Sequence, residues 1–110
     1  MKLIITIVQD EDAGRLIGEL MDQNFGVTKL ATTGGFLKSG NTTLLIGIRE
    51  ERFDECMAII EKVCKSRRQI ATSPVSMSGA SSGMYTSYPI EVTVGGATVF
   101  VLSVDQFVKF

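Results

Sequence analysis

The order of secondary structure in this sequence, in which strand, helix and strand follow one another twice, leaves few folds open to the chain. Residues 3–8 form an apolar run typical of a buried strand. A helix is predicted next, capped by Asp10 or Asp12, with Asp12 facing water. Residues 27–33 predict a weaker, Thr-rich strand. The core-facing stripe of the helix is predicted to be Ala13, Leu16, Ile17, Leu20 and Met21.

The second half of the chain repeats this plan. Residues 42–48 predict an apolar strand, and Phe53 to Cys64 carry a second helical stripe. Residues 66–88 show neither a helical nor a strand period and predict a long flexible loop, with room for a short hairpin. Two further strands, 89–94 and 98–104, are predicted to pair through a hairpin turn at Gly95-Gly96.

Together these elements predict one α+β domain over residues 1–110, a ferredoxin-like βαββαβ sandwich with an extra C-terminal strand. Its strands are apolar at successive positions, as in Leu3-Ile4-Ile5 and Leu44-Leu45-Ile46, which indicates that both faces of the sheet are buried. Two helices can cover only one face. The other face is therefore expected to pack against further subunits.

Composition narrows the function classes. The chain has no histidine, which removes imidazole bases, imidazole metal ligands and histidine-dependent triads. A net charge of −1 argues against a broad nucleic-acid surface, and no apolar run is long enough for a membrane span. Cys56 and Cys64 stand two helical turns apart and are expected to be reduced thiols, as in a cytoplasmic protein. The sequence thus predicts a cytoplasmic protein that is not an enzyme.

The tract from Thr28 to Gly47 combines glycines, small hydroxyls, an amide and Phe36. Glycine backbone can approach a phosphate closely, and an aromatic face can stack on a base. A nucleotide-like ligand would suit this mixture; a twisted hairpin with an exposed aromatic side chain is the alternative. The 66–88 tract likewise fits either a segment that closes over a ligand or a plain surface loop.

Two motifs carry a family resemblance: KLATTGGFL at 29–37 followed by GNTT at 40–43, and VGGATVFVL at 94–102. Along essentially its whole length the chain resembles the PII-like cyclic-di-AMP receptor family, the PstA or DarA proteins. The resemblance implies a homotrimer that binds cyclic-di-AMP, without a cofactor, in each cleft between neighbouring subunits. It also implies a change in loop conformation that a downstream protein partner, unknown here, recognises.

The resemblance also implies the ligand contacts. Gly35 would present its N–H to a phosphate, Phe36 would stack on an adenine with Leu37 beside it, and Asn41 and Gly47 would contact a base edge. Two positions depart from the pattern: some members carry an arginine where this chain has Gly26, and a glutamine where it has Lys109, which would meet a phosphate or stand in solvent. The remaining implied contacts, on the pocket wall and at its closure, are Asn24, Val27, Thr28 and Phe100.

Two other functions remain open from the residues. One is a small trimeric nucleotide-processing enzyme that uses Glu50 or Asp105 with a metal ion, although no spaced carboxylate motif supports it. The other is a metal-responsive trimer of the same fold, whose ligands would be Cys, Met or carboxylate side chains.

Overall fold

The chain adopts an α+β fold in the computed structural model, which describes residues 1–30, 40–76 and 85–110, with the backbone alone described at 71–76 and 85–88. The α+β class predicted from the sequence is confirmed. The elements are, in order, β1 (Lys2–Gln9), α1 (Asp10–Asp22), β2 (Gly26–Leu30), β3 (Asn41–Ile48), a 3-10 turn (Glu50–Arg52), α2 (Phe53–Cys64), β4 (Arg67–Ser76), β5 (Tyr85–Val94) and β6 (Ala97–Ser103).

Four strands form one sheet in the order β2-β3-β1-β6, and every neighbouring pair is antiparallel. The register of β1 with its two neighbours defines two rows of residues that lie on opposite faces of the sheet. Ile4 lies between Ile46 and Val101, on the face covered by the helices, whereas Ile5 lies between Leu45 and Phe100, on the other face. Successive strand residues point to opposite faces, so this register divides the whole sheet.

Both helices pack on the first of these faces, and the core lies between the two layers. Its fully buried side chains include Ile4, Leu16, Leu44, Ile46 and Ile60. The predicted apolar stripe of α2 is confirmed: its residues are buried or packed against the core, and they are Phe53, Cys56, Met57, Ile60, Val63 and Cys64. The prediction for Met21 was wrong, since its side chain is 60% exposed at the end of α1.

The start of α1 differs from the prediction. Gln9 is the N-cap residue and makes no side-chain cap, so neither Asp10 nor Asp12 caps the helix. Asp10 instead accepts a hydrogen bond from the Thr42 hydroxyl, which ties α1 to β3. Asp12 does not face water: its side chain is 7% exposed and pairs with Arg67, with the Arg67 Nη2 atom 2.9 Å from its Oδ1 atom.

Strands β4 and β5 form a separate two-stranded hairpin, paired from Arg67↔Val94 to Ser76↔Tyr85. The long loop predicted over 66–88 was therefore wrong for 67–76 and 85–88; residues 77–84 lie outside the described part of the chain. The side chains of Ile70 and Ile90 are 78% and 42% exposed. Residues 67–76 and 85–88 lack the regular alternation of apolar and polar residues that marks a half-buried strand, which is why no long strands were predicted there.

Gly95 and Gly96 do not form the predicted hairpin turn. β5 pairs with β4, and β6 pairs with β1, so the two glycines carry the chain from one sheet to the other. Both have positive φ, +82° and +95°, which glycine adopts without steric cost. The Gly95 N–H donates to the side-chain oxygen of Gln9 at 2.8 Å, and the Gly96 N–H donates to the Cys64 carbonyl.

Candidate ligand-binding site

The sheet face turned away from the helices is half exposed and carries four of the predicted contact residues, which are Thr28, Asn41, Gly47 and Phe100. Its central row runs Thr28, Leu45, Ile5 and Phe100 across all four strands. Residues directly opposite in antiparallel strands share a face, so these four side chains are neighbours. Phe100 is 52% exposed on this face, and Leu102 is 44% exposed in the next row, which continues through Leu3 to Gly47. We refer to this surface as the open face.

At one end of the open face two glycines stand opposite each other, Gly26 on β2 and Gly47 on β3. A cavity of about 320 Å³ lies here, and Asn24 lines it together with both glycines. Asn24 has a left-handed backbone, φ 64°, because it ends α1: the N–H groups of Asn24 and Phe25 donate to the carbonyls of Met21 and Leu20, each at 2.9 Å. Helix termination thus fixes the backbone that presents the Asn24 amide.

At the other end of the open face Asn41 is paired with Gln9. Both line a cavity of about 310 Å³, whose far wall is the Gly95-Gly96 crossing and Thr98. Asn41 also lines a second cavity, of about 610 Å³, between α1 and the facing ends of β2 and β3. Leu30 and Gly40 flank the segment 31–39, which contains Gly35, Phe36 and Leu37; these three predicted contacts lie outside the described residues.

The structure thus brings some of the predicted contacts together and separates others. Thr28, Gly47 and Phe100 share the open face. Asn41 and Gly47 are six residues apart on β3, about 20 Å at 3.4 Å per residue, so one base edge cannot meet both within one protomer. Val27 points to the helix face, opposite Ile46, and packs against the core. Lys109 is exposed in the segment that follows β6.

Charged groups at the two ends of the sheet differ in their partners. Arg52, near Asn24, donates to the Gln23 carbonyl at 2.6 Å and to Glu55 at 3.1 Å, and its guanidinium carbon lies 3.9 Å from the centre of the Phe25 ring. At the hairpin base, the hydrogen bond to the Asp12 carboxylate raises the pKa of Arg67. Arg67 also donates to the Lys65 carbonyl at 3.2 Å and thereby joins the hairpin to both helices.

Two residues next to the site were not predicted from the sequence. Gln9 lines the cavity beside Asn41 and accepts a hydrogen bond from the Gly95 N–H, and Arg49 lines the cavity beside Asn24. Arg49 carries a usable signal, because it is the first charged residue after the apolar strand β3. Gln9 carries none, since only the pairing of β1 with β3 places it beside Asn41.

The groups proposed for alternative chemistry are placed as follows. Cys56 and Cys64 are fully buried free thiols, and burial raises the pKa of each to about 11. The Glu50 carboxylate lies 3.8 Å from the N-terminal ammonium group. Within residues 1–30, 40–76 and 85–110, no three thiol or carboxylate side chains are grouped so that they could hold a metal ion. Neither described helix has the length and apolar character needed to cross a membrane.

Comparison with known proteins identifies the family to which the chain belongs. The crystal structure of a functionally unknown protein from Pediococcus pentosaceus ATCC 25745 is similar, with a TM-score of 0.78 and 51% sequence identity over 99% of this chain and 96% of that one. A family model described as cyclic-di-AMP receptor matches residues 1–110. The chain therefore belongs to the cyclic-di-AMP receptor family.

Proposed function

We propose that this protein is a cytoplasmic, non-catalytic receptor in which cyclic-di-AMP binds between the subunits of a homotrimer. The observation that carries the proposal is the open face: one protomer leaves Phe100 and Leu102 half exposed beside Thr28 and Gly47. Exposed apolar surface of this kind is covered when subunits associate. A cleft at the border of that contact would have an apolar wall and a polar wall, as a purine nucleotide needs.

The subunit proposed is a ferredoxin-like, PII-like core with an inserted hairpin. Support comes from the order β2-β3-β1-β6, from its antiparallel pairs and from both helices lying on one face. The hairpin β4–β5 is inserted between α2 and β6. The whole chain would then be one domain, and the inserted hairpin would be the surface that a downstream protein meets.

Each predicted contact has a role in this proposal. The backbone of Gly47 and the side chains of Asn24 and Thr28 would meet one adenine, and Phe100 would close over it from the last strand. Asn41, at the far end, would meet a different part of the ligand, beside the loop that carries Gly35, Phe36 and Leu37. Val27 would support this wall from behind rather than touch the ligand. Lys109 would reach a phosphate from the C-terminal segment.

A conformational response is proposed at the base of the hairpin. Gln9 lines the same cavity as Asn41 and accepts the hydrogen bond from Gly95, while Arg67 pairs with Asp12. A ligand group that engages the Gln9 amide would compete with the Gly95 N–H. Ligand binding at the Asn41 end would therefore change how the hairpin is held, which is the signal that a partner protein could read.

The test is calorimetry of the full chain with cyclic-di-AMP, cyclic-di-GMP and ATP, combined with native mass spectrometry. We expect preference for cyclic-di-AMP and an assembly of three chains with three ligands. Phe36→Ala should weaken binding by about 1–3 kcal/mol, the energy of one stacked base. A stable monomer, or equal affinity for the three nucleotides, would refute the proposal.

A further inference from the structure

The cavity at the Gly47 end of the open face is shaped by an absence of side chains. Gly26 and Gly47 face each other across β2 and β3, and a Cβ atom built on either glycine would meet no described atom within 4 Å. Both residues are exposed. The cavity of about 320 Å³ therefore has room for a ligand group that approaches the backbone closely.

Two arginines line this cavity, and only one of them is already engaged. Arg52 is held by the Gln23 carbonyl, by Glu55 and by the Phe25 ring. The Arg49 side chain has no hydrogen-bond or ion-pair partner among residues 1–30, 40–70 and 89–110, whose side chains are described; only its backbone carbonyl is engaged, by the Arg52 N–H at 3.0 Å. Its neighbour Glu50 faces the N-terminal ammonium group at 3.8 Å. Arg49 thus brings an uncompensated positive charge to the cavity.

The backbone explains why Arg49 belongs to the open face. It remains extended at Arg49, with φ −79° and ψ 149°, one residue beyond the end of β3. Arg49 therefore continues the alternation that places Gly47 on the open face, and it stands about 7 Å further along the chain. Among the described residues that line the cavity there is no carboxylate, so the local charge favours an anion.

We propose that Arg49 is an anion-binding residue of the ligand site and contacts a phosphodiester group of the bound dinucleotide. The inference rests on the proposed function and adds a residue to it. A guanidinium group presents a planar fork of N–H donors that fits two oxygens of a phosphate. Asn24 and the two glycines would then hold the attached nucleoside in the same cavity.

The experiment measures cyclic-di-AMP affinity of the full chain by calorimetry at two or more salt concentrations. Arg49→Gln is expected to weaken binding about tenfold to hundredfold, the range of a charge-assisted hydrogen bond. The salt dependence of the affinity should also become shallower, because one ionic contact is lost. Arg49→Lys keeps the positive charge but lacks the planar fork of N–H donors, so its affinity for cyclic-di-AMP should lie between those of the original protein and Arg49→Gln. The matched control is Arg15→Gln, the same charge change on the exposed side of α1, which should bind like the original protein.

Moving the positive charge from residue 49 to residue 26 gives a second, independent test. Because the space at Gly26 is open, the double variant Gly26→Arg, Arg49→Gln should recover most of the lost affinity. Unchanged binding by Arg49→Gln, or an equal loss in Arg15→Gln, would overturn the inference. The original protein separates the two levels of failure: if it binds no cyclic-di-AMP, the proposed function fails first, whereas tight binding that ignores Arg49 overturns this inference alone.

Discussion

Replacing Gly95 by alanine tests how the hairpin is joined to the rest of the molecule. A Cβ atom at this position would lie 2.6 Å from Arg67 Nη1, 2.8 Å from the Lys65 carbonyl oxygen and 3.1 Å from the Cys64 carbonyl oxygen. The Arg67 side chain can move aside, but the carbonyl oxygens belong to the backbone at the end of α2. The substitution therefore forces the chain crossing away from that helix.

The expected cost has two parts. An alanine at φ +82° is strained by about 1–2 kcal/mol. Crowding of the added methyl group against fixed atoms adds about 1–3 kcal/mol, the usual cost of overpacking. We therefore expect Gly95→Ala to lower the free energy of unfolding by about 2–5 kcal/mol.

Gly96→Ala is the matched control. Gly96 has φ +95°, yet a Cβ atom there would meet no described atom within 4 Å. Its cost should be the strain alone, about 1–2 kcal/mol. Urea unfolding of both variants at one protomer concentration would give the difference, because the stability of an oligomer depends on concentration. Equal destabilisation of the two variants would refute the reasoning that the carbonyls of α2 fix the crossing.

Three other perturbations address the assembly, the thiols and the hairpin. Leu102→Asp should dissociate the proposed trimer, as measured by size-exclusion chromatography with light scattering, whereas Met21→Asp, at an exposed position on α1, should not. An intact Leu102→Asp trimer would contradict the role given to the open face. Cys56 and Cys64 should react with a thiol reagent only as the protein unfolds. Since burial raises the pKa of both thiols from 9.0 to about 11, their contribution to stability should be complete below about pH 9 and lost as pH rises towards 11. Gln9→Leu should make the rate of proteolysis of the hairpin insensitive to cyclic-di-AMP, and a ligand-induced change in that rate equal to the change in the original protein would exclude a role for the hydrogen bond between Gln9 and Gly95.

The apolar stripes of the helices could be predicted from the sequence because each follows a local period. The positions of Cys56, Ile60 and Cys64 follow from the 3.6-residue repeat of α2 alone. Asp12 could not be placed in the same way, because its partner Arg67 is 55 residues away in the chain. The pattern of charges along one helix does not show which cationic side chain, distant in sequence, will pair with a given carboxylate.

The turn at Gly95-Gly96 was mispredicted for a related reason. A diglycine supplies positive φ whether the chain reverses into a hairpin or crosses to another sheet. Strand pairing decides between these two paths: β6 pairs with β1, and β5 pairs with β4, so the chain crosses between the two sheets. For the site, the resemblance implied contacts at Gly47, Thr28 and Phe100, which lie on one face of the sheet, but it could not show that Asn41 lies at the opposite end of that face.

The geometry of the open face also limits how strongly ligand binding can act on the hairpin. The Gln9 link is one hydrogen bond, at 2.8 Å, with a net worth of about 0.5–1.5 kcal/mol. Its loss can shift a conformational equilibrium by about twofold to tenfold at most. The Asp12–Arg67 pair, at 2.9 Å, would still hold the hairpin to α1. A larger response to ligand therefore requires that this ion pair opens as well, and because the Asp12 carboxylate is buried, it would open only if water or a partner's cation replaced Arg67.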